Sequence, residues 1–121
     1  MIQINYRDPR PIYEQVKASF RQLILSGAML PEEKMPSVRE LASSLAINPN
    51  TIQRAYRELE QEGYIFSVPG KGSFIADSGA AAAARRAELL ESLRTTADEL
   101  RRLGVGEEEL RNCILGGQEY D

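Results

Sequence analysis

An α+β, mainly helical fold is predicted by three features of the chain. Apolar residues recur at helical spacing through three successive segments, a short β-rich hairpin pattern follows, and a second helical stretch closes the sequence. The boundaries of each element follow from local chemistry.

Pro11 opens the series Tyr13, Val16, Phe20, Leu23 and Ile24, and Gly27 sits where a helix stops, so a helix is predicted over residues 11–26. Residues 28–36 contain two prolines and no clear period, which reads as a connector. Ser37-Val38-Arg39-Glu40 has the pattern of a capping box, and Val38, Leu41, Ala42 and Leu45 step along one face of a short helix over 38–46. Ala46-Ile47-Asn48 is a tight turn, then Asn48-Pro49 supplies an N-cap and a proline in the first turn. Ile52, Ala55, Tyr56 and Leu59 form the next apolar stripe, which Gly63 terminates. Two short helices joined by a tight turn form a helix-turn-helix unit.

Beyond Gly63 the period changes. Tyr64 to Val68 and Ser73 to Ile75 are rich in β-formers, and Pro69-Gly70-Lys71-Gly72 separates them as a hairpin tip. Helix, helix-turn-helix and hairpin in that order make a winged helix-turn-helix domain over residues 1–76. Asp77-Ser78-Gly79 is read as a hinge, and residues 80–121 as a two-helix tail. Leu89, Leu93, Ala97, Leu100 and Leu103 line one side of its long helix, to about residue 103. Leu110, Cys113 and Ile114 edge a last helix that starts at Glu107-Glu108-Glu109, where acidic groups suit the positive helix end.

Composition narrows the chemistry. With 121 residues, of which 42% are apolar, the chain can bury one modest core plus an appendage. It contains no histidine, which removes the commonest general base and zinc ligand together. No metal-ligand spacing, phosphate-binding glycine loop or nucleophile motif occurs, so neither an enzyme nor a metal or cofactor is expected. No apolar run is long enough to span a membrane and no signal peptide opens the sequence, implying a cytoplasmic protein. The single cysteine, Cys113, fits a reducing compartment and is expected to pack as a small hydrophobe. The tyrosines and phenylalanines are expected mostly in the core.

The net charge of −3 does not favour nucleic acid, but its placement does. Residues 1–79 hold nine basic and nine acidic side chains; the deficit lies in the tail. On a helix over 48–62, the face opposite the apolar stripe carries Asn50, Arg54, Arg57 and Gln61, with Gln53 on its flank. Amides and guanidiniums are the groups that pair bidentately with adenine and guanine edges in the major groove. The cations fall in the first part of this helix, and Glu58, Glu60 and Glu62 in its last part. Insertion by the N-terminal end would therefore bring cations and helix-dipole amides to DNA. Arg39, in the first turn of the preceding helix, can reach a phosphate or a base edge. Lys71, between two glycines, can approach the minor groove or a phosphate.

The segments Pro11-Ile12-Tyr13-Glu14-Gln15-Val16, Pro36-Ser37-Val38-Arg39-Glu40-Leu41-Ala42, Asn48-Pro49-Asn50-Thr51-Ile52-Gln53-Arg54-Ala55-Tyr56 and Gly70-Lys71-Gly72-Ser73-Phe74-Ile75 together closely resemble the GntR family of bacterial regulators. The short tail resembles the YtrA-like subfamily. That resemblance implies a homodimeric repressor on an inverted-repeat operator of double-stranded DNA. By matching position it places DNA contacts on Arg39, Asn48, Asn50, Thr51, Arg54, Lys71 and Gly72. The chain departs from the family pattern at Met35, usually leucine, and at Pro49, where relatives outside the subfamily carry a DNA-contacting arginine. Base preference therefore cannot be copied from those relatives.

The dimer surface is expected on the leucine side of helix 80–103 and on the last helix, since that stripe has no large partner within one chain. Ligand pockets usually span roughly 300–1,000 Å³. A small-molecule effector would thus sit at the dimer interface or between wing domain and tail. The competing reading is a winged-helix module that binds protein instead of DNA.

Overall fold

A computed structural model describes residues 2–116, so Met1 and residues 117–121, the outer ends of the expected domain and tail, lie outside the described residues. The elements run α1 (Ile12–Leu25), α2 (Val38–Leu45), α3 (Pro49–Gln61), β1 (Ile65–Val68), β2 (Gly72–Ile75), α4 (Gly79–Arg102) and α5 (Glu107–Leu115). They form two compact units, Met1–Ala82 and Ala83–Asp121, and α4 begins in the first and continues in the second.

Caps set the helix boundaries of the first unit. Both arms of the predicted capping box are present: the Glu40 amide donates to Ser37 Oγ at 3.0 Å, and the Ser37 amide donates to Glu40 Oε1 at 3.3 Å. Helix α2 ends where Ala46 turns left-handed, at φ 56°. Asn48 then caps α3, its Oδ1 accepting from the Asn50 amide at 2.8 Å. Gly63, at φ +87°, turns the chain out of α3 into β1.

The two strands pair antiparallel, Ile65 opposite Ile75 and Val68 opposite Gly72. The connector after α1 is more than a linker. Its Met35 amide donates to the Ser73 carbonyl at 2.8 Å, the Ile75 amide donates to the Glu33 carbonyl at 2.9 Å, and Lys34 bridges Phe74. Residues 32–35 thus lie along the free edge of β2 and cover one unpaired strand edge.

The core of this unit draws on every element: Val16, Phe20 and Ile24 from α1, Leu41 and Ala42 from α2, Ile52, Ala55, Tyr56 and Leu59 from α3, and Met35, Tyr64, Ile65 and Ile75 from the connector and hairpin. Of the predicted stripes, that of α3 is buried throughout, while Tyr13, Leu23, Val38 and Leu45 of the first two helices are partly buried against the core. Phe20 meets Tyr56 edge to face at 5.7 Å, and the Tyr56 hydroxyl donates to the Pro36 carbonyl at 2.8 Å. Burial raises the Tyr56 phenol pKa well above its usual range. Tyr6 and Phe66 depart from the expected pattern and are exposed; Phe66 instead stacks on Phe74 across the hairpin.

One buried polar side chain belongs to this core. Gln15 of α1 accepts from the Asn5 amide and donates to the carbonyls of Asn5 and Arg10. These three hydrogen bonds are directed at the segment before α1, which they tie down.

In the second unit, Arg101 fastens the turn between helices, with Nε donating to Glu107 Oε2 at 2.6 Å and Nη1 to Asp98 at 2.8 Å. Among the residues expected at a dimer surface, Leu89, Leu93, Leu103 and Ile114 are exposed, and Ala97 and Leu100 are half-buried. Leu110 is buried within the single chain and has little surface left to offer a partner. Leu90 and Leu115, absent from the predicted stripe, are exposed as well. Cys113 was expected to pack as a small hydrophobe but is exposed. Helix α5 buries only Leu110 among its described residues, so Cys113, three residues further along the same side, is left to solvent.

Candidate nucleic-acid interface

The interface is built on α3. Its apolar stripe locks into the core, which fixes the rotation of the helix and turns Asn50, Gln53, Arg54 and Arg57 outward; all four are exposed. Thr51 is half-buried. Asn48 is exposed but already engaged as the cap, so its Nδ2 amide is the group available to a ligand. Arg39, Lys71 and Gly72 are exposed on α2 and the wing. The wing comes to the start of α2: Lys71, Gly72 and Ser73 share one cleft with Lys34, Ser37 and Tyr56. Among the described residues, Arg39, Arg57 and Lys71 form no ion pair, so their charges remain available to phosphate.

Two features were not apparent from the sequence. The first is Lys34, exposed beside the wing, whose Cε lies 3.0 Å from where a Cβ on Gly72 would be. It sits in the proline-containing connector, where no periodicity marks it. Gly72 itself has φ +119°, a conformation that side-chain-bearing residues rarely adopt.

The second is a polar bridge from α1 to α3. Lys17 Nζ lies 2.9 Å from Glu58 and 2.8 Å from Glu62, and Arg21 lies 3.6 Å from Glu62. Glu58 and Glu62 are therefore paired with α1, while Glu60 is exposed and accepts from Ser67 Oγ at 2.9 Å and the cations at the start of α3 stay exposed. Lys17's hydrogen bond holds the Glu58 carboxyl below its usual range. Burial disfavours the Lys17 charge, but the hydrogen bonds to Glu62 and Glu58 outweigh it, and its pKa is raised. Arg54 joins the same bridge. Its guanidinium lies 3.7 Å over the Tyr13 ring, Nη2 donates to the Tyr13 hydroxyl at 3.0 Å, and Nε reaches Glu58 at 3.4 Å.

Among the described residues no cluster of side chains could hold a metal ion, and no helix is long and apolar enough to cross a membrane. The arrangement offers donors and cations on one helix face and a nearby wing, which suits recognition of an anionic, hydrogen-bonding polymer.

Comparison with known proteins agrees. Residues 12–75 match the family described as "Bacterial regulatory proteins, gntR family". The chain is 49% identical over 78 residues to the HTH-type transcriptional repressor YtrA of Bacillus subtilis (strain 168), a match spanning 64% of this chain and 60% of that protein. The crystal structure of a transcriptional regulator from Oenococcus oeni superposes with a TM-score of 0.76 at 30% identity, covering 96% of this chain and 98% of that one. The AraR DNA-binding domain in complex with its operator ORE1 superposes with a TM-score of 0.54 at 32% identity, covering 63% of this chain and 93% of that one. The family match covers more than half of the sequence and coincides with the elements that build the interface, and the chain therefore belongs to the gntR family of bacterial regulatory proteins.

Proposed function

We propose that the chain is a cytoplasmic, homodimeric transcriptional repressor that binds an inverted-repeat operator in double-stranded DNA. Helix α3 enters the major groove by its N-terminal half, Arg39 and Lys71 engage the flanking backbone, and the second unit pairs two copies. The observation that carries this reading is the division of α3: amides and guanidiniums outward at its start, and glutamates held by Lys17 and Arg21 near its end. The exposed leucines of α4 support pairing, since a helix with no buried residue among those described leaves its apolar side uncovered. The operator complex of the related AraR domain supports the mode of binding.

The test is selection of bound sequences from a random DNA pool by the full chain. The expected result is an enriched inverted repeat whose half-sites lie about 10 bp apart, or a multiple of that, as two-fold protein symmetry requires. No enrichment, with binding at low salt equal for all DNA, would instead favour a winged-helix module that binds protein. In the enriched site, Arg54→Ala is expected to weaken binding by roughly 1–3 kcal/mol.

A further inference from the structure

An unrestrained arginine on a helix surface loses much rotamer freedom when it docks, and that loss subtracts from the binding it provides. Arg54 is not unrestrained. Tyr13, near the start of α1, supplies both a ring face 3.7 Å from the guanidinium carbon and a hydroxyl acceptor 3.0 Å from Nη2. Glu58, itself bonded by Lys17, accepts from Nε. The side chain is held by three groups from two helices, yet 55% of it remains exposed.

The donor inventory decides what this restraint does. A guanidinium carries five N–H groups. The contacts to Tyr13 and Glu58 use one on Nη2 and the one on Nε. Three N–H groups, both on Nη1 and one on Nη2, are free of these contacts, enough for a two-pronged pairing with the O6/N7 edge of guanine. The bridge therefore engages two of the five donors and leaves three for a ligand.

We infer that Tyr13 is a positioning residue for operator recognition. It orders Arg54 before DNA arrives and gains no contact with DNA itself. This inference rests on the reading that Arg54 meets the operator. The opposite role, a latch keeping Arg54 away from DNA, predicts the opposite sign on removal.

The experiment is a double-mutant cycle in the full chain, on the operator recovered by selection. Tyr13→Phe keeps the ring and removes only the hydroxyl acceptor. It is expected to weaken operator binding about three- to tenfold, the range for one hydrogen bond. Binding to unrelated DNA and the thermal midpoint should be unchanged. In an Arg54→Ala background the same change should have no effect. In the free protein, the NMR order parameter of the Arg54 Nε–H should fall in Tyr13→Phe, which a merely structural role would not produce. An equal loss from Tyr13→Phe in both backgrounds, tighter operator binding, or an unchanged order parameter would each overturn the inference. Should Arg54→Ala itself cost nothing on the operator, the underlying reading falls and takes this one with it. Should Arg54→Ala weaken binding while Tyr13→Phe does not, only the positioning role falls.

Discussion

Glu58 links two helices through one carboxylate, and the consequences are measurable. Its pKa is lowered in the folded chain, chiefly by Lys17's hydrogen bond. A lowered carboxylate contributes stability that is present above its unfolded value and is lost as pH falls through the folded one. The thermal midpoint should therefore drop as pH goes below the ordinary carboxylate range, and Glu58→Gln should show a shallower acid limb. Ala46 tests the backbone instead. Its left-handed φ of 56° is unfavourable for a residue with a Cβ. After the entropy that glycine adds to the unfolded chain, Ala46→Gly should raise stability by about 0.5–1 kcal/mol in denaturant unfolding. At this scale the sequence was legible where chemistry is local. The Ser37–Glu40 box and the Asn48 cap follow from spacing alone, whereas the Tyr13–Arg54 stack joins residues far apart in the chain and leaves no periodic trace.

The elements were predicted to within a residue or two because each is bounded by a cap, a glycine or a proline. The connector was not legible in this way. Its pairing with β2 uses backbone amides and carbonyls, which any sequence possesses, and its prolines argue against a strand. The wing tip depends on that pairing and on Gly72. Gly72→Ala should cost at least about 1 kcal/mol of stability, because alanine resists φ +119°. The nearby Lys34 is the flexible end of a side chain and can give way. Lys34→Ala in the same background should therefore restore little of the loss, and unfolding curves of the two variants separate backbone strain from crowding.

For the whole molecule, the proposed two-fold recognition assigns to the second unit the joining of two copies. Leu89→Glu combined with Leu93→Glu places charge on the exposed side of α4. Sedimentation should then report a monomer, and operator affinity should fall while the unfolding of the first unit is retained. A dimer that persists through both changes would place the pairing surface elsewhere. Sequence reading could propose a leucine side of α4, because periodicity shows which residues share a face. It could not show that Leu110 is already used within the chain or that Cys113 is not, since those outcomes depend on packing and not on pattern.

The bridge from α1 to α3 also bears on how such proteins can be retargeted. A recognition helix is often treated as a cassette, to be lifted from one relative and set into another. Here Tyr13, Lys17 and Arg21 all lie outside the transplanted segment, yet they contact its Arg54 and pair with its Glu58 and Glu62. A graft of residues 48–62 alone would arrive with Glu58 and Glu62 uncompensated and Arg54 loose. The transferable unit is the helix pair, and an exchange that carries both members should preserve the donor's sequence preference where the single-helix exchange blurs it.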